Sequence, residues 1–195
     1  MALFYTKQLD NGATIWLWDI SISDTALYSK NSRKREQEAV RCLLNTIFKK
    51  EVLLCHHENG CPYLENCDSN ISISHTSSFA AVIIHPAFSV GVDIENLSRN
   101  FSAVEKKALS PEEIQNINPE KKNLSLAIYW SAKEAVFKRV SQSEIDFAKQ
   151  IFIEKFDPGQ FGNLNALFTD KQGNRYELFL GYEIVKNHIL VWTAG

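Results

Sequence analysis

Between Arg33 and Lys50 the apolar positions Val40, Leu43, Leu44, Ile47 and Phe48 recur at helical spacing, which predicts an amphipathic helix. Ahead of it "ATIWLWDI" is rich in aromatic and branched residues and reads as a strand. Gly60 and Pro62 punctuate a loop. "NISISH" and "FAAVIIH" then read as two strands joined by a turn at "TSS", and "FSVGVDIEN" as a further strand. Two helices are expected next. One opens at Ser110-Pro111-Glu112-Glu113, where Ser caps and Pro fits the first turn, and the other runs from about Leu124 to Val140. The remainder alternates strands and turns: "IFIEKF", "NALFTD", "YELFLGYEIV" and "HILVWTA". This mixture predicts an α+β fold with antiparallel pairing.

Composition narrows the classes. At 195 residues, 45% apolar and 23% charged, the chain suits one domain or two small halves sharing a core. A net charge of -2 argues against general affinity for nucleic acid or anionic membranes. No basic and apolar leader opens the chain, and no stretch is apolar for long enough to span a bilayer, so a cytoplasmic protein is expected. Cys42, Cys55, Cys61 and Cys67 are then expected as free thiols. "CHHENGCPYLENC" invites a zinc reading, but its cysteines are too widely spaced for the usual close pairs.

Two stretches carry candidate chemistry. In "VGVDIEN" a strand's period of two sends Asp93 and Glu95 to one face, with Val92 and Ile94 on the other. Two carboxylates on one face repel unless a proton or cation intervenes, and hard oxygen donors suit Mg2+. A solvated edge strand with ordinary acids is the plain alternative. In "WSAKEAVFK", Tyr129, Trp130, Val136, Phe137 and Val140 fall near one helical face, and Glu134 borders that stripe with Lys138 one turn beyond. Glu134 and Lys138 suit either a surface ion pair or a third metal carboxylate beside a phosphate-neutralising cation.

Together, "GVDIE" and "WSAKEAVFK" resemble the paired signatures of the 4'-phosphopantetheinyl transferase superfamily, in its longer Sfp-type branch with the W-x-x-K-E-A variant. Gly91, Asp93, Glu95, Trp130, Lys133, Glu134, Ala135 and Lys138 carry the match. "SISHT", with Ser72, Ser74 and His75, resembles the family's histidine element, and "SRKREQEAVRCLLNTIF" resembles, more weakly, its nucleotide-contacting helix. One departure is Gly60-Cys61-Pro62, where the family often has a lysine in place of Cys61.

The resemblance implies two similar α+β halves, a pseudo-dimer with the active site in the cleft between them. Residues 1–88 would bind the coenzyme A nucleotide, and 89–195 would carry the metal site and catalytic helix. It implies transfer of the phosphopantetheine arm of coenzyme A to a serine of an acyl or peptidyl carrier protein, with release of 3',5'-ADP. Mg2+, or Mn2+, would be held by Asp93, Glu95 and Glu134. Glu134 and Lys138 would be catalytic. Lys34, Arg41, Ser74, His75 and Lys138 would bind coenzyme A, with Lys34 and Arg41 sharing a helical face. Lys133 is expected to be a structural partner of the carboxylate cluster, outside the catalytic set. A monomer that binds neither nucleic acid nor membrane is expected. Two alternatives stand beside this one: a Mg2+-dependent phosphohydrolase using the same acids, and a non-catalytic carrier-binding protein of the same fold.

Overall fold

In the computed structural model, residues 3–20 and 32–194 are described, the side chain of Ser32 aside.

Strands β1 (Leu3–Gln8) and β2 (Thr14–Asp19) form a hairpin whose turn uses Gly12 at φ 93°, a conformation glycine adopts without steric penalty. Helix α1 (Ser32–Phe48) follows, then the short hairpin β3 (Leu54–His56) and β4 (Pro62–Leu64). Strands β5 (Asn70–His75) and β6 (Phe79–His85) complete a sheet of order β1-β2-β6-β5. The chain then enters β7 (Val92–Asn96), the short helices α2 (Ser102–Lys107) and α3 (Pro111–Gln115), and the long helix α4 (Lys122–Val140). After α5 (Phe147–Gln150) come β8 (Ile151–Ile153), β9 (Phe161–Thr169), β10 (Arg175–Val185) and β11 (His188–Thr193). They build a second sheet, β7-β11-β10-β9-β8. Every pairing among these strands is antiparallel, so the fold is mixed α+β with antiparallel sheets.

Strand alternation distributes the core into three parts. Trp18, Ala80, Val82 and Ile71 face α1, meeting Val40, Leu43 and Leu44. On the opposite face Ile15, Leu17, Phe79, Ala81 and Ile83 pack against Val92, Ile94, Leu190 and Trp192 of the second sheet. That sheet's other face, through Ile189, Val191, Leu164 and Leu180, receives α4. The order is helix, sheet, sheet, helix. No helix among the described residues is long and apolar enough to cross a membrane.

Several expectations need correction. β1, the β3–β4 hairpin and α2 were not expected, and Pro62 opens a strand where a loop was expected. Helix α4 is not amphipathic with a single apolar stripe. It is buried nearly all round, including Ser125, Ser131 and Lys133, because the sheet covers one side while α2, β8 and the Phe147 region cover others. Asp93 lies on a buried strand, not a solvated edge. β7 ends its sheet, yet β5 and β6 pack beside it.

Candidate active site

The site grows from the contact between β7 and α4. Gly91 permits it: a Cβ there would drive into the Ala135 carbonyl, so only glycine lets the start of β7 lie this close to the helix. Trp130, Glu134 and Lys138 then sit at i, i+4 and i+8, one ridge of α4 laid along β7. Asp93 and Glu95, two apart on the strand, meet that ridge.

Each acid has defined partners. Lys138 Nζ donates to Asp93 Oδ1 at 2.8 Å and to the Val92 carbonyl at 3.0 Å. Ser74 on β5 donates its hydroxyl proton to the same Oδ1 at 2.8 Å. Asp93 Oδ2 is buried and has no hydrogen-bond partner among the described residues. Glu95 Oε1 accepts from the Trp130 indole at 2.9 Å and from Arg99 Nη1 at 2.6 Å. The Arg99 guanidinium also lies over the rings of Phe101 and Trp130. Glu134 lies among these groups, and its carboxyl is pushed up to about 7. Burial is the main cause, the Asp93 charge the next, with Glu95 adding and Lys138 and Arg99 opposing.

Asp93, Glu95 and Glu134 are therefore close enough to act on one another. As they stand, however, no group of three or more His, Cys, Asp or Glu among the described residues is gathered to hold a metal ion. Lys138 and Arg99 draw Asp93 and Glu95 to their own partners. The donor set nonetheless suits a hard cation: one buried Asp93 carboxylate oxygen has no partner among the described residues, and the Asp93 and Glu95 charges add to burial in opposing ionisation of Glu134.

Lys138, but none of the three acids, also lines a cavity of about 740 Å³ where α1, the β3–β4 hairpin and β5 meet the end of α4. Arg33, Glu36, His75, Cys61, Lys138 and Ser141 are among its lining residues. His75, exposed toward α1, has Nδ1 3.4 Å from Glu36. Ser72 lines the cavity and Ser74 does not, although both point toward the second sheet. Lys34 and Arg41 are not lining residues either. Arg41 is engaged by Glu38, with Glu51 at 3.9 Å, although it lies one turn beyond the lining residue Gln37. Arg33, which helical spacing did not single out, occupies the cavity wall. Cys61, in the loop position where a cation is more usual, instead makes a 3.2 Å contact with Ser141 Oγ, and Asn59 donates to the Ser141 carbonyl. None of the four cysteines forms a disulfide among the described residues.

Lys133, inside the signature, faces away from this site. It is fully buried and donates to Glu113 and to the carbonyls of Phe147 and Ile151. Glu113 in turn accepts from the backbone N–H of Ser110 and of Ile153, closing a capping box at α3. The Ser110-Glu113 spacing carried the signal for that cap but not for its tie to Lys133.

Residues 89–189, just over half of the chain, match the 4'-phosphopantetheinyl transferase superfamily. The chain belongs to that superfamily. Phosphopantetheine transfer is therefore its general activity, and the family implies coenzyme A and a carrier protein as substrates. No curated protein matches the chain.

Proposed function

We propose that the chain is an Sfp-type enzyme that moves the 4'-phosphopantetheine arm of coenzyme A onto the serine hydroxyl of an apo acyl or peptidyl carrier protein, releasing 3',5'-ADP. The observation that carries this reading is the α4 ridge against β7, which brings Glu134 and Lys138 beside Asp93 and Glu95, with Lys138 also on the wall of a cavity of cofactor size.

In this reading Asp93, Glu95 and Glu134 would hold Mg2+, or Mn2+, which when bound supplies positive charge against the pyrophosphate oxygens. The carrier serine oxygen forms a bond to the phosphorus that carries the pantetheine arm. The bond from that phosphorus to the oxygen of 3',5'-ADP breaks, and the serine proton passes to Glu134. Lys138, on the cavity wall, supplies a cation to the departing phosphate. His75 and Arg33, which line the cavity, would face the nucleotide phosphates, and the α1 cations Lys34 and Arg41, off the cavity wall, would reach them only by leaving their present positions.

The reading divides the chain at 1–88 and 89–195. It is supported by the separation of the strands into one sheet built from residues 3–85 and one from 92–193, each with a long helix across it. These would be the similar halves, with the active site in their cleft. A monomer in the cytoplasm, its thiols reduced, completes the proposal.

The test is mass spectrometry of several apo-carriers incubated with the chain, coenzyme A and Mg2+. A phosphopantetheine adduct on the carrier serine, with 3',5'-ADP formed only when carrier is present, is expected. ADP formed without carrier would mean hydrolysis. Carrier binding without an adduct would mean a scaffold.

A further inference from the structure

Ser72 and Ser74 lie two apart on β5, and both face the second sheet. The Val92 N–H donates to Ser72 Oγ at 3.1 Å, and Ser74 Oγ donates to Asp93 Oδ1 at 2.8 Å. The two serines therefore hold consecutive residues of β7, at the point where the acidic pair begins. Ser74 is buried and absent from the cavity wall, whereas its neighbour His75 lines it.

A hydroxyl has one proton to give. In Ser74 that proton is committed to Asp93, and a phosphate oxygen at neutral pH offers only lone pairs. Ser74 cannot hold a coenzyme A phosphate and keep this bond. The bond also has a directional consequence. Ser74 and Lys138 both load Oδ1, one from β5 and one from α4, so the carboxylate is fixed from two sides. Oδ2 is left as the buried oxygen of that carboxylate with no partner among the described residues. A free carboxylate could rotate to share its oxygens among these donors, and this one is held so that a single oxygen is available.

Resting on the transferase reading above, we infer that Ser74 is a positioning residue, which orients Asp93 across the junction of the two sheets so that Oδ2 is presented to the metal, and is not a ligand of coenzyme A. The division of labour within "SISHT" follows. Ser74 serves the metal strand, His75 serves the cavity, and Ser72 staples the β7 backbone.

Calorimetric titration of coenzyme A into the full chain, first in EDTA and then with Mg2+, separates the roles. The parent should bind coenzyme A in EDTA and more tightly with Mg2+. Ser74→Ala should keep the EDTA affinity within about twofold and raise the Mg2+ concentration needed for the enhancement by about tenfold, the usual cost of losing a residue that orients a metal ligand. Ser74→Thr, which restores the hydroxyl, should recover most of the loss. His75→Ala should show the opposite pattern, with weakened binding in EDTA. A Ser74→Ala chain that loses coenzyme A affinity in EDTA as His75→Ala does, or whose Mg2+ requirement is unchanged, overturns the inference. Should Ser74→Ala not fold, Ser74→Cys keeps the volume with a weaker donor and gives the same comparison. A parent that binds neither coenzyme A nor Mg2+ overturns the transferase reading, and this inference with it.

Discussion

Lys133 and Glu113 make an ion pair 2.8 Å long with neither side chain reaching solvent. Burial draws the lysine below its usual range while the Glu113 charge holds it up. Two backbone carbonyls take the remaining protons of the ammonium, and two backbone N–H groups take lone pairs of the carboxylate. The pair thus ties α4 to the start of α3 and to β8 in one satisfied network. The signature lysine is a structural post, one residue away from a carboxylate that faces the site.

Removing one partner leaves a charge stranded in the core. Lys133→Met should cost about 3–5 kcal/mol in urea unfolding. Adding Glu113→Leu should recover part of that but not all, because the N–H groups of Ser110 and Ile153 would lose their acceptor. A Lys133→Met chain within about 1 kcal/mol of the parent would show that this network does not support α4.

Glu134 links stability to pH. Its folded carboxyl titrates at about 7 against an ordinary 4.5, so the folded state binds the proton more tightly. The Glu134 contribution to stability is full below pH 4.5 and is lost as pH rises through about 7, because only the folded state must ionise a hindered acid. In metal-free buffer Glu134→Gln should therefore unfold later than the parent at pH 8 and match it near pH 4. The same substitution should abolish carrier modification. Parallel melting curves for the two chains across this range would contradict the assignment.

Gly91→Ala should be among the most damaging single-methyl changes in the chain. The new Cβ meets the backbone of Ala135 and Arg139, which cannot swing aside as a side chain can. About 3 kcal/mol or more is expected, read as a lowered thermal midpoint, and transfer should fall because β7 is displaced from the α4 ridge.

Trp130→Phe keeps a ring against Phe147 and removes the indole donor to Glu95. Stability should drop by about 1 kcal/mol. The Mg2+ requirement should rise by about tenfold if Glu95 must be oriented to bind metal. An unchanged Mg2+ dependence would remove Glu95 from the ligand set.

Much of this molecule can be read from local pattern. The strands at Asn70–His75 and Phe79–His85, their turn, α1 and the last strands follow from periodicity and turn chemistry, because both act over a few residues. The β1–β2 hairpin carried an equally local signal in Asp10-Asn11-Gly12, which favours a tight turn, but the alternation in β1 is weak since much of the strand is exposed. Helix α2 is too short for a periodic pattern to emerge.

The amino-acid order alone determined which residues share a face: Asp93 with Glu95, Trp130 with Glu134 and Lys138, and Ser74 opposite His75. Backbone geometry imposes those relations wherever the strand or helix forms. Only the tertiary structure decided who meets whom across elements. Ser74 reaches Asp93, Arg99 and Trp130 share Glu95, Arg33 and not Arg41 lines the cavity, and Lys133 turns inward to Glu113. Such partnerships arise when two sheets and two helices bury their apolar faces together. That packing brings together residues far apart in the chain, and no repeating interval encodes the result.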